Sequence, residues 1–213
     1  MGNLEFLFLL KGLQWTVLLT LISFVGGSII GLLVALARTS ENKILVQLTA
    51  GYTALFQGTP LLMQLFVVYY GLALLQLNIE PWIAVSIAYT AHASAFLGDI
   101  WRGGIEALPK GQSEAANALG ISYLTRMRHV ILPQALKVSL PATVGFMVQL
   151  LKGTSLAAIV GFVELTRAGQ IVSNQIFQPM LVFGVVGLFY FVLCWPLSLY
   201  GSRLEQKMAL ATR

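Results

Sequence analysis

The sequence predicts an all-α integral membrane protein with five transmembrane helices, and three observations carry that prediction. Hydrophobic residues make up 57% of the chain and charged residues 10%, where an average soluble domain has roughly 25% charged. Charge is absent from Gly12 to Ala37, a run that as a helix is about 39 Å long and crosses a core of about 30 Å. Later apolar stretches are parted by short polar turns and by one long charged island, residues 103–137. The first stretch is too long for a secretory signal and lacks a clear small-residue cleavage site, so it is predicted to be a retained span. Cys194 is the single cysteine, which excludes an internal disulfide, and His92 and His129 are far apart, so no metal-ligand spacing exists. A net charge of +5 is better explained in so apolar a chain by positive-inside bias than by nucleic acid.

Met1–Lys11 is a short apolar start suited to the membrane surface. The first span is predicted at 13–37. Gly27 and Gly31 lie in it at small-xxx-small spacing, which either lets another helix approach closely or reflects how common glycine is in membrane helices. Arg38–Lys43 is a polar turn. The uncharged run Ile44–Ile79 exceeds one ordinary span, and it divides into an interfacial elbow near 46–58 and a second span at 60–77. Pro60 opens that span, where its missing N–H costs nothing.

Asn78, Glu80 and Pro81 turn the chain into a third span at 82–100. His92 within it is expected to be an interior hydrogen-bonded histidine. Asp99 and Arg102 are three apart, the spacing of an ion pair on one helix face. Beyond the island come a fourth span at 141–163, a short surface helix in 164–178 and a fifth span at 181–199. No internal repeat or low-complexity linker is visible, so 1–213 is taken as one transmembrane domain. In a five-span topology Arg38, Lys43, Arg102 at the edge of the island and the island's Lys110, Arg126, Arg128 and Lys137 share one face with Arg203, Lys207 and Arg213. Lys11 and Arg167 fall on the other. The positive-inside rule therefore puts the island and C-terminus in the cytoplasm and the N-terminus outside.

Inside the island, residues 114–136 read EAANALGISYLTRMRHVILPQAL. Ala115, Ala116 and Ala118 favour helix with little bulk. Gly120 removes the side chain where a helix could end or another backbone could come close. Pro133 biases Leu132 away from helix. A short helix with small residues, projecting from a membrane protein, suits docking into a partner's groove.

That stretch follows the spacing E-A-A, three residues, Gly, nine residues, Ile, one residue, Leu-Pro, with Val130 in place of Ile. It resembles the signature loop of the membrane subunits of binding-protein-dependent ABC importers. GTPLLMQLFVVYYGL (58–72), WRGGIEALPKGQSEAANALG (101–120), VILPQALKVSLP (130–141) and LKGTSLAAIVGFVELTRAGQ (151–170) are similar to the polar amino acid branch of that family. The chain departs from the family at Gln57, where Arg is usual, at Asp99, where Glu is common, and at Gly153, where Asp often follows the lysine.

The resemblance implies a type I importer permease with cytoplasmic coupling helices, in a bacterial inner membrane. It also implies a second membrane subunit, identical or homologous, two cytosolic ATPases and an extracytoplasmic binding protein. No catalytic residue is expected. No G-x-x-x-x-G-K-[ST] loop is present, so the ATP would be bound by the partner ATPase and not by this chain. Glu114, Ala115, Ala116, Ala118 and Gly120 are the ATPase-coupling candidates. Glu114 also suits the first turn of a helix through the helix dipole. For the substrate path the candidates are polar residues on apolar segments: Lys152 and Glu164 first, then Gln64, Gln149, Thr154 and Ser155. Such residues also serve simply to join helices by hydrogen bonds. Lys152 calls for a wet path, an acidic partner or a helix end from which its amine can reach the surface. A permease for another small polar solute is one alternative. An ion-coupled secondary transporter is another, disfavoured by the missing repeat, and an intramembrane enzyme lacks a paired catalytic constellation.

Overall fold

A computed structural model describes residues 2–77 and 79–211, without the side chains of 209–211. Asn78 of the predicted turn and the closing cation Arg213 lie outside the described residues. Every regular element among them is helical.

Helix α1 (Asn3–Arg38) runs unbroken for 36 residues, about 54 Å. The apolar start is thus continuous with the predicted span. The hydroxyl of Thr39 turns back to the Ala35 carbonyl at 3.0 Å and closes the helix. Asn42 caps α2 (Lys43–Gln57), its side-chain oxygen accepting from the Ile44 N–H at 3.0 Å. Gly58, Thr59 and Pro60 then bend the chain by 102° into α3 (Leu61–Leu74). At 14 residues α3 is about 21 Å long, short of a whole core. It stops before the predicted residue 77, where Gln76 adopts the left-handed region with φ 59.

Helix α4 (Pro81–Glu106) begins with proline at its first turn, where no donor is lost, and it carries Asp99 and Arg102 inside the helix. It is the centre of the bundle. Ala84, Val85, Ala88, Tyr89, Ala93, Ala95 and Leu97 are wholly buried, and Val85, Ala88, Tyr89, Ala93 and Leu97 pack with Leu19, Leu65, Phe146 and Leu150 from three other helices.

α1 lies against α4 more extensively than any other pair, and glycine is the reason. A Cβ on Gly27 would stand 2.5 Å from the Ala93 methyl, and one on Gly31 would stand 3.0 Å from the Ser94 carbonyl oxygen. Gly98 on the opposite face would meet Val34 at 2.7 Å. Of the two accounts of the Gly27–Gly31 spacing, close helix approach is the one that holds.

The charged island folds into α5 (Lys110–Ala118), α6 (Tyr123–Arg126) and a π-turn (Met127–Ile131) that leads directly into α7 (Leu132–Gly153). Two expectations are corrected here. Leu132 is helical, with φ −59 and ψ −43, so Pro133 does not end the helix. Pro141 sits inside α7 and does not start it. The wider π-turn adds a residue just ahead of Pro133, relieving the clash of the ring with the preceding turn.

Past Gly153 the chain tightens into a 3₁₀ segment (Thr154–Val160) and reverses at Gly161, with φ 83. α8 (Leu165–Ile176) and α9 (Pro179–Ala211) complete the bundle. Leu9, Leu165, Val172, Val182 and Val186 join α1, α8 and α9 in a second apolar cluster. The outward faces of α1 and α9 carry exposed Leu21, Val25, Ile29, Leu33, Leu188, Phe191 and Trp195, as a lipid-contacting surface requires.

Candidate functional site

The charged island forms an arm that stands off the bundle. On α5, Glu114, Ala115 and Ala118 are exposed, while Ala116 turns inward and is 4% exposed. Gly120 ends α5 with φ 70. Its N–H donates to the Asn117 carbonyl at 2.9 Å, and the Ile121 N–H donates to the Ala116 carbonyl at 3.1 Å. These two bonds are the helix-closing pattern that a left-handed residue permits. Nothing lies within 4 Å of a Cβ built on Gly120, so within this chain its conformation, and not a close neighbour, requires glycine. A guanidinium staples the arm: Arg126 donates to the Asn117 side chain and lies over the Tyr123 ring, 5.3 Å from its centre. Leu119 and Leu124, on either side of the glycine, are 78% and 76% exposed.

Where the arm joins the bundle, four charges interlock. Asp99 accepts from Arg38 of α1 at 3.1 Å and from Arg102 at 3.0 Å. Arg102 also reaches Glu106 at 2.6 Å. The spacing of Asp99 and Arg102 anticipated one of these bonds. Arg38, a separate turn in the sequence, gave no local signal.

The path candidates divide into two groups. Gln149 and Lys152 are exposed, in line with exposed Ala142 and Gly145 along one face of α7. Ser155, half-buried, donates to the Lys152 carbonyl at 2.9 Å. This stripe of small and polar side chains differs from the leucine-rich outer faces of α1 and α9.

The other three are buried and bonded. Thr154 donates to the Leu151 carbonyl at 2.7 Å. Gln64 holds the elbow: its amide nitrogen donates to the Phe56 and Thr59 carbonyls at 2.7 and 2.9 Å. Its oxygen faces His92 Nδ1 at 2.9 Å. With the amide nitrogen committed, that oxygen accepts, and the imidazole proton resides on Nδ1. Glu164 is fully buried and caps α8, accepting from the Thr166 and Arg167 N–H groups at 2.8 Å each. Tyr190 of α9 donates to it at 3.0 Å, and the Thr16 hydroxyl of α1 is 3.5 Å away. Burial pushes the Glu164 carboxyl above the ordinary carboxylate range, against the backbone donors that pull it down. Thr16 and Tyr190 sit on unremarkable apolar stretches, and only the fold brings them to this acid.

The chain is similar to the probable amino-acid ABC transporter permease protein YckA of Bacillus subtilis (strain 168). The two are 32% identical over 205 residues, spanning 96% of this chain and 91% of that protein. The arginine transport system permease protein ArtQ of the same organism is 34% identical over 206 residues, 94% of this chain and 92% of ArtQ. Among solved structures, the crystal structure of an amino acid ABC transporter with histidines superposes with a TM-score of 0.86 at 32% identity, covering 97% of this chain and 99% of that one. The inward facing MetNI methionine ABC transporter has the same fold, with a TM-score of 0.82 at 21% identity over 97% and 99% of the two chains. Residues 27–210 match the family described as the binding-protein-dependent transport system inner membrane component. This chain belongs to that family.

Proposed function

We propose that this chain is the membrane subunit of an ATP-driven, binding-protein-dependent importer and forms half of the translocation path for polar amino acids. The observation that carries the reading is the exposed arm: α5, closed by a left-handed glycine and held by Arg126, presents small side chains to a partner. Two cytosolic ATPases dock there and supply the ATP chemistry. A second membrane subunit completes the path, and an extracytoplasmic binding protein delivers the amino acid. The distribution of Lys and Arg supports an arm and C-terminus in the cytoplasm and an N-terminus outside.

In this reading Glu114, Ala115, Ala118 and Gly120 form the docking surface, with Ala116 anchoring it from below. Gln149, Lys152 and Ser155 face the path. Gln64, Thr154 and Glu164 support that path by holding the elbow, the end of α7 and the start of α8.

Reconstitution tests the proposal. Vesicles holding this chain, its partner subunit and the ATPase should accumulate amino acid only with ATP inside and loaded binding protein outside. The purified chain alone should hydrolyse no ATP and should co-purify with the ATPase. Robust hydrolysis by the chain in isolation would falsify the importer assignment.

A further inference from the structure

A cavity of about 500 Å³ opens between the arm and the bundle. Its apolar wall comes from Ile105 at the end of α4 and from Met127 and Ile131 at the π-turn. Thr39, at the end of α1, lines it from the bundle side. Its polar wall carries two acids, Glu106 and Glu114, and two cations, Lys110 and Arg126.

The state of these four groups limits what could enter. Glu106 is engaged by Arg102. Glu114 and Lys110, one turn apart on α5, form no ion pair with each other or with any other described residue. Arg126 spends one terminal nitrogen on Asn117. Pro109, which precedes α5, offers that helix no side-chain cap; its carbonyl accepts from the Gln112 N–H at 3.0 Å, which leaves the Lys110 and Gly111 N–H groups open to an acceptor. A phosphate or another simple anion would leave the Glu114 carboxylate unpaired, and a simple cation would leave Lys110 and Arg126 unpaired. A neutral apolar molecule would leave the free charges unpaired. A molecule with separated charges of both signs and a side chain for the apolar wall satisfies them all.

We propose that this cavity binds the zwitterion of an α-amino acid and that its occupancy sets the position of the coupling arm. The carboxylate meets Lys110, Arg126 and the start of α5, and the ammonium meets Glu114, which lines the cavity at the edge of the docking surface. The walls come from both arm and bundle, so a bound molecule joins them. A ligand that favours one arm position shifts the arm toward it. The inference rests on the importer reading: cargo is released on the arm's side of the membrane, so accumulated cargo slows its own uptake.

The experiment uses the complete complex in nanodiscs and in vesicles, with L-glutamine as the probe because its side chain is uncharged. Equilibrium binding of labelled L-glutamine is measured without binding protein. Competitors are 4-carbamoylbutanoate, which lacks the ammonium, and 4-aminobutanamide, which lacks the carboxylate. Uptake is then compared between vesicles pre-loaded with L-glutamine and empty ones, as a ratio within each variant. Losing one charged hydrogen bond weakens binding about tenfold. Lys110→Gln should therefore raise the internal concentration needed to slow uptake about tenfold; 4-carbamoylbutanoate should bind about tenfold more weakly than L-glutamine, and 4-aminobutanamide, which loses several partners at once, more weakly still. Ser113→Trp, which fills the cavity from α5, should abolish the effect while size-exclusion profiles stay normal.

The inference is overturned if internal L-glutamine leaves uptake unchanged, or if the inhibition is identical in both variants. It also fails if either competitor binds as well as L-glutamine, or if a structure of the complex finds an ATPase side chain filling the cavity. Failure of the importer reading has a different signature, namely no ATP-driven uptake into empty vesicles. In that case the binding measurement still tests the cavity.

Discussion

Substituting Gly120 separates two reasons for a glycine at the tip of the arm. The backbone there has φ 70, and the space around a new Cβ is empty. An alanine therefore meets no clash within this chain and carries only the cost of the left-handed conformation, about 1–2 kcal/mol. Released locally, that cost reduces the ratio of closed to open α5 ends by about five- to thirtyfold. Asparagine tolerates this conformation better than alanine, and valine, branched at Cβ, tolerates it worst. If conformation governs docking, retained ATPase per permease should fall in the order Gly, Asn, Ala, Val, and transport in vesicles should follow. If instead the glycine lets the ATPase backbone come close, the larger asparagine should be worse than alanine. Co-purification of tagged permease with ATPase, at equal membrane insertion, distinguishes the two. Alanine retaining more ATPase than asparagine, or a flat series, would refute the conformational account.

Four other perturbations test separate parts of the structure. Gly27→Ala brings a methyl to 2.5 Å from that of Ala93 and should destabilise the bundle by about 1–3 kcal/mol. Adding Ala93→Gly should restore part of that in thermal unfolding of the detergent-solubilised protein. Gln64→Leu leaves the half-buried Phe56 and Thr59 carbonyls without their donor, at about 1 kcal/mol for each bond lost; hydrogen exchange should rise across residues 56–59. Glu164→Gln removes one of the two cap bonds, about 1 kcal/mol, and should flatten the pH dependence of stability. The sign follows from the raised carboxyl: its contribution is full below the unfolded value of about 4.3 and is lost as pH rises through the higher folded value. Melting temperatures across pH check this, and an unchanged slope would show that Glu164 does not set it. Lys152→Met should assemble normally yet transport poorly; normal transport at normal expression would place Lys152 outside the path.

Periodicity and charge reveal the long helices because lipid imposes one simple rule on them: an apolar surface and internally satisfied backbone. The elbow was visible for a related reason, since the uncharged run from Ile44 exceeds one span and Gly58 and Pro60 punctuate it. The behaviour of Pro133 and Pro141 was not visible. A proline reads locally as a helix break, and only the π-turn before Leu132 makes room for a continuous helix. Tertiary bonds were hidden as well. Lys152 and Glu164 look alike in sequence, each a charge beside an apolar run. Lys152 stays exposed on α7, whereas Glu164 is enclosed by Thr16, Tyr190 and its own helix start. Gln64 behaves similarly, its role fixed by carbonyls left open at a bend and by an imidazole 28 residues away.

The unbroken length of α1 has a mechanical consequence. Thr16, in the fourth turn of α1, accepts from the Leu165 N–H at 3.1 Å, beside the buried acid of α8, and at the helix end Arg38 holds Asp99. The two anchors are about 33 Å apart along one helix. Such a helix acts as a strut: tilting α8 at one surface displaces the ion cluster beside the arm at the other, unless α1 flexes. Gly26 and Gly27, between the anchors, are the residues at which it would yield most easily. The stiffness of that short segment therefore sets how much of a movement at one surface arrives at the other.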